Sequence, residues 1–317
     1  MIHAFALEPK LVATWGKREE FRFIHDKFGL GTPRVLLELP GFTDWKNEVC
    51  SAANELEFSD KDWKRLEEVF RIFSEHRCRR SRSVYADVLS WLENAEREHA
   101  RQEFRAIVAT ENPRRHSAVV IGDDLGQPKA KLWACEAGAM PSRTPGGLAV
   151  ALSAMLTNCR EIHLVDPHFG PENDRHRKVL EALVNVLVVH ALCPDLIRVH
   201  CSAKSDPRFF EQEVAKMSDR LPVGFQVDFV RWNQKQGGEK LHNRYVLTDL
   251  GGVSLGVGLD EGEPGESDDL LLLPRPQYEH RWSQYVGNAG AFDLANPPVA
   301  VRGTRIPRSA SVQRGRI

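Results

Sequence analysis

Between residues 148 and 260 the apolar residues switch repeatedly between the 3.6-residue period of a helix and the two-residue period of a strand, and few architectures accommodate that alternation. LAVALSAMLTNC reads as an apolar helix and EIHLVDPHFG as a strand ending at Asp166-Pro167. DRHRKVLEALVNVLVVHAL follows as a helix that buries Val179, Leu180, Leu183, Val184, Leu187 and Val188. LIRVHCS is a strand and PRFFEQEVAKMSDRL another helix. VGFQVDFVRW alternates strictly, and LHNRYVLTD and GVSLGVGL are two further strands with a tight turn at Gly251-Gly252 between them. Strands alternating with helices and closing on a hairpin predict an α/β sandwich with a mixed sheet.

The first half is less regular. MIHAFALEP and PRVLLELPG read as short strands around a helical GKREEFRFIHDKFG. In SDKDWKRLEEVFRIFSEH, Ser59 caps a helix whose first turn holds Asp60 and Asp62, and Trp63, Leu66, Val69, Phe70 and Phe73 form its core-facing stripe. A second helix, SVYADVLSWLENAEREHARQEF, places Val84, Val88, Trp91, Leu92 and Ala95 on one face. The joint RCRRSRS, with Arg77, Arg79, Arg80 and Arg82, is either a solvated turn or a nucleic-acid contact. HSAVVIGDD reads as a strand and turn with KAKLWACE as its partner, and PSRTPGG at 141–147 as a boundary. The organisation expected is a mixed, helix-rich α+β domain over 1–140, a second domain over 148–290 and a basic flexible tail over 296–317, which holds five arginines and no acid.

Composition narrows the class. A chain of 317 residues, 42% apolar and 27% charged, supports about two globular domains. Its formal net charge of −1 supplies no global basic field, so any nucleic-acid contact must come from a local patch. The six cysteines show no C-x-x-C spacing, the N-terminus reads as no leader, and no apolar run is long enough to span a membrane. The expectation is a reduced, cytoplasmic protein without a disulfide scaffold, zinc ribbon or membrane span.

LHNRYVLTD carries the chemistry. On a strand, His242, Arg244, Val246 and Thr248 point to one face, so an imidazole and a guanidinium become neighbours. An imidazole can attack phosphorus or move a proton, a guanidinium holds non-bridging oxygens, and a carboxylate can fix the imidazole tautomer. Asp166 and His168 sit at the C-terminal end of a strand, where α/β sheets present ligand groups, although Asp166 could equally cap a turn.

The spacing of His242, Arg244 and Asp249 resembles the H-x-K-x4-D signature of the phospholipase D superfamily, with arginine in place of lysine. The strand ending LVDPHF and the order of elements from 148 to 260 are similar to one half of that fold. LHNRYVLTDLGGVSLGVGLD also resembles the phospholipase D-like C-terminal domain of MIT-domain proteins, including the Gly256-Val257-Gly258-Leu259-Asp260 segment. The first resemblance implies a metal-independent phosphodiesterase, most plausibly a nuclease, with His242, Arg244 and Asp249 catalytic, a histidine–phosphate intermediate and no cofactor. Asp166, His168 and Asp260 would then face the substrate. The second implies a non-catalytic module that binds phosphate-bearing ligands, nucleic acid or lipid headgroup, or serves as an assembly platform. Three departures keep both open: arginine replaces lysine, Val257 stands where active members carry serine, and only one motif is complete. A second histidine would come from His116, which has Asp123 at the same spacing but Ala118 where the cation should be, or from a homodimer. A bacterial antiphage defence system, with the chain in a multi-protein complex, is one setting in which such domains occur.

Overall fold

The computed structural model describes residues 1–78, 85–287 and 289–306. The chain divides into two compact units, Met1–Gly138 with Leu272–Arg275, and Ala139–Leu271 with Pro276–Ile317.

The first unit is built on a parallel sheet. Its strands are β1 (His3–Leu7), β2 (Arg34–Leu37), β3 (Arg77–Cys78), β4 (Ala106–Ala109) and β5 (Val119–Ile121), in the order β3-β2-β1-β4-β5. Parallel strands need crossovers, and α1 (Pro9–Thr14), α2 (Arg18–Ile24), α3 (Phe42–Asn54), α4 (Asp60–Glu75) and α5 (Trp91–Arg101) lie between them in the chain. Ser59 and Asp62 form a reciprocal capping box at the start of α4. Leu66, Val69, Phe70 and Phe73 then enter a core with Phe5, Trp15, Phe28, Trp45 and Trp133, while Trp63 packs at its rim.

Two local expectations fail here. α5 begins only at Trp91, because Ser90 and Glu93 form a second capping box there, and Val88 is left 93% exposed. KAKLWACE forms no strand. Its carbonyls go to side chains instead: Arg105 donates to Leu132 and Ala134, and Arg34 to Trp133. Of the arginine joint, Arg79, Arg80 and Arg82 lie outside the described residues, and Arg77 donates to the Glu38 carboxylate.

The second unit is an α/β structure on a mixed sheet. The remaining strands are β6 (Gly138–Ala139), β7 (Glu161–Val165), β8 (Leu196–Ser202), β9 (Gln226–Gln234), β10 (Arg244–Thr248), β11 (Gly251–Leu255), β12 (Leu270–Leu272), β13 (Phe292–Leu294) and β14 (Val299–Arg302). The order is β13-β9-β8-β7-β10-β11-β12-β6, with β14 also on β9. β7, β8 and β9 run parallel, joined through α7 (Asp174–Val189) and α8 (Pro207–Ala215), and α6 (Pro145–Leu156) leads into β7. β10 returns antiparallel to β7 and pairs with β11 through a two-residue turn. That turn is Asp249-Leu250, not Gly251-Gly252, whose residues pair with Thr248 and Leu247 inside the ladder. Gly251 has φ +142°, which a side chain would resist. The order reverses between β7 and β10, so the C-terminal end of β7 and the start of β10 lie side by side at a topological switch point.

The segment read as the start of a flexible tail is structured up to Ile306. β14 pairs residue by residue with β9, and Arg305 donates to Asn185. Residues 307–317 lie outside the described residues.

Candidate functional site

Register builds the site. Tyr245 pairs with Val165 and Val246 with Leu164, so Arg244 at the start of β10 faces Asp166, just past the end of β7. By parity both lie on the sheet face of Leu164 and Val246. The other face, with Tyr245 and His163, meets α9 (Arg275–Tyr285) through Trp282 and Tyr285.

Asp166 is 1% exposed. Its Oδ1 accepts the backbone N–H of His168 at 2.9 Å and its Oδ2 that of Leu259 at 2.8 Å. A buried carboxylate needs such donors, and these two tie the Pro167–Phe169 turn and the loop after β11 to one point. Arg244 Nε lies 3.8 Å from Asp166 Oδ1, close enough for an ion pair and too far for a hydrogen bond. The Nε is buried and has no hydrogen-bond partner among the described residues.

The loop after β11 comes close because of Gly258. A Cβ there would stand 3.0 Å from Asp166 Oδ2, 3.1 Å from Asp260 Oδ1 and 3.4 Å from Arg244 Nε. A side chain there would crowd this charged trio, and its neighbours would have to give by a few tenths of an ångström. Asp268, also buried, holds the same loop by accepting the Val257 N–H at 3.0 Å. Asp260 is balanced by Arg143, which donates at 2.6 Å, and by Arg175 at 3.7 Å.

The sequence-predicted residues fall into separate places. Arg244, Asp166, Asp260 and the His168 backbone meet at the switch point. His242 lies before β10 rather than on it, exposed, with no hydrogen bond among the described residues. Asp249 stands at the opposite end of β10. Its Oδ1 accepts the backbone N–H groups of Arg160 and Glu161 at 2.8 and 3.2 Å, so it closes the start of β7 and does not orient an imidazole. His116 belongs to the first unit, where its Nδ1 accepts the Ala118 N–H in a local turn. The His168 ring is exposed, yet its imidazole titrates below the ordinary range. Partial desolvation is the main cause, Lys204 and Arg244 add to it, and Asp166 and Asp260 oppose it. Among the described residues, no cluster of three or more His, Cys, Asp or Glu could hold a metal ion. Gly258 and Asp268 escape sequence reasoning as site residues, although the Gly-x-Gly spacing marks a close backbone approach.

The α9 face carries a second, buried polar row. Trp232 Nε1 donates to His200 Nδ1 at 3.1 Å, and His200 Nε2 lies 3.1 Å from His163 Nδ1. An indole only donates, so neutral His200 carries its proton on Nε2 and passes it to His163 as a hydrogen bond. Neutral His163 then carries its proton on Nε2, 3.5 Å from Glu161 Oε2. Burial, reinforced by Arg198, pushes His163 down to about 4.

No family model and no curated protein matches the chain. Solved structures with distant likeness include the following two. Phosphatidylserine synthase of Haemophilus influenzae Rd KW20 matches 52% of this chain over 41% of its own, at 12% identity and a TM-score of 0.33. TrmBL2, an archaeal chromatin protein with a novel mode of DNA binding, matches 51% of this chain over 56% of its own, at 12% identity and a TM-score of 0.24. The chain spans less than two thirds of either protein's length. No described helix is long and apolar enough to cross a membrane.

Proposed function

We propose that the second unit is a phosphate-recognition module of phospholipase D type, with Arg244 as the anchoring cation and Asp166 as the residue that positions it. The observation that carries this reading is the Arg244 Nε: buried, faced by a carboxylate at 3.8 Å, and without a hydrogen-bond acceptor among the described residues. A phosphoryl oxygen supplies that acceptor, and charge-assisted bonds to guanidinium are among the strongest available. His168 and His242, both exposed beside the same strand ends, add imidazole donors. The non-catalytic form is favoured because no carboxylate among the described residues bonds His242 to fix its tautomer, and Asp249 is engaged elsewhere. The test is calorimetry with inorganic phosphate and with a nucleoside monophosphate. Arg244→Ala should abolish binding, while Arg160→Ala, at the opposite end of β7, should not. Undiminished binding by Arg244→Ala overturns the reading.

One observation favours hydrolysis as a second reading. His242 and His168 both lie exposed just beyond the adjoining ends of β10 and β7. His242 could then attack phosphorus while His168 protonates the departing alcohol oxygen, and water would release the phosphoryl group from the imidazole. Turnover of an activated phosphodiester in EDTA, lost in both His242→Ala and His168→Ala, would support it. A wild-type protein that binds phosphate without turning over leaves the recognition module.

A further inference from the structure

We infer that the edge of the second unit's sheet binds a single-stranded polynucleotide, with Lys204, Arg208 and Lys240 continuing the phosphate track that starts at Arg244. This rests on the phosphate site proposed above and names its ligand class.

Topology gathers the groups. The parallel strands β7, β8 and β9 all end at one edge, and antiparallel β10 begins there. The loops after β7, β8 and β9 and the first turn of α8 therefore share that edge with Arg244. Lys204, Arg208 and Lys240 are exposed there and make no ion pair among the described residues. Lys204 is near enough to His168 to depress its titration.

The carboxylates of these loops are mostly spent. Asp166 is buried on backbone N–H groups, Asp206 accepts the Phe209 N–H as the α8 cap, and Glu239 is bound by Arg281 and Gln284. Glu172 and Asp206 are left without an ion pair among the described residues of these loops, against the unpaired Lys204, Arg208 and Lys240. A local cationic edge thus exists on a chain whose formal net charge is −1.

Three features favour a single strand. From β9 to β10 the edge crosses three strand spacings, about 14 Å, which spans a few nucleotides at a rise of roughly 3.4 Å or more each. Arg244 is recessed, its side chain 24% exposed, so a flexible strand reaches it where a rigid duplex does not. Phe209, 43% exposed in the first turn of α8, offers a ring on which a base can stack.

The test compares thymidine monophosphate with a length series of oligothymidylates, by calorimetry and fluorescence anisotropy across a salt series. Affinity should rise with length over the first few nucleotides. The triple variant Lys204→Gln, Arg208→Gln, Lys240→Gln should bind the longer strands at least about tenfold more weakly. It should lower the salt slope by about 2, at roughly 0.7 per phosphate contact, and keep monophosphate affinity within about twofold. Phe209→Ala should weaken the oligonucleotides alone. Equal affinity for monophosphate and oligonucleotide, an unchanged salt slope in the triple variant, or tighter binding of phosphatidylserine vesicles than of oligothymidylate overturns the inference. Loss of monophosphate binding from the wild type would instead strike the phosphate site itself.

Discussion

Asp166→Asn is nearly isosteric and removes one charge from the centre of the site. Two backbone N–H groups point at the two oxygens, from His168 at 2.9 Å and from Leu259 at 2.8 Å. Asparagine keeps one acceptor and turns an NH2 group toward the other N–H. The lost charge-assisted bond is worth about 1.5–3 kcal/mol, and the opposed buried donors cost about 1–3 kcal/mol more. Arg244 also loses its partner, but its side chain is partly exposed, so that term stays below about 1 kcal/mol. The sum is about 2.5–7 kcal/mol, a range that brackets the roughly 3–5 kcal/mol usual for breaking a buried charge interaction. Two compact units need not unfold together, so a single melting curve is the wrong readout. Hydrogen exchange read by mass spectrometry assigns the loss to peptides. Those covering β7 and residues 256–260 should lose protection equivalent to this sum, and those from the first unit should not change. A loss under about 1 kcal/mol in those peptides would show that Asp166 does not hold the site together.

Three further outcomes follow from the same geometry. Gly258→Ala should weaken phosphate binding about tenfold by calorimetry, because the added methyl crowds Asp166, Asp260 and Arg244; wild-type affinity would place the loop elsewhere. His163 is held neutral, with its pKa near 4 against an ordinary 6.5, so the unfolded chain takes up the proton first. The stability this provides, up to about 3 kcal/mol, is complete above about pH 6.5 and is lost as pH falls toward 4. His163→Phe should flatten that decline in denaturant titrations, and an unaltered slope would assign it to other groups. Asp249→Ala should cost about 1–3 kcal/mol by freeing the Arg160 and Glu161 N–H groups, yet leave phosphate affinity within about twofold; a loss of affinity would restore Asp249 to the site.

The sequence foretold β8 and α7 nearly to the residue, because their periods are long and uninterrupted. It also placed Asp166 at a strand end and β10 among the strands. What it missed is non-local. No periodicity says that β10 lies beside β7 in a register that sets Arg244 against Asp166. Motif spacing groups His242, Arg244 and Asp249 along the chain, but an extended strand carries its two ends far apart, so Asp249 serves the far edge. The residues 129–136 look strand-like in composition, and two arginines distant in sequence claim their carbonyls. The tail's β14 depends on an open edge of β9 that a local reading cannot see.

The central claim is that the Arg244 guanidinium receives the phosphoryl group. The direct measurement is the Nε–H resonance of Arg244 in 15N-labelled protein, titrated with inorganic phosphate and assigned by its absence in Arg244→Lys. The account predicts a saturable downfield proton shift as the unpartnered N–H gains an oxygen acceptor, with the same dissociation constant that calorimetry gives. Phosphate that binds by calorimetry while the Arg244 Nε–H resonance stays in place would contradict it.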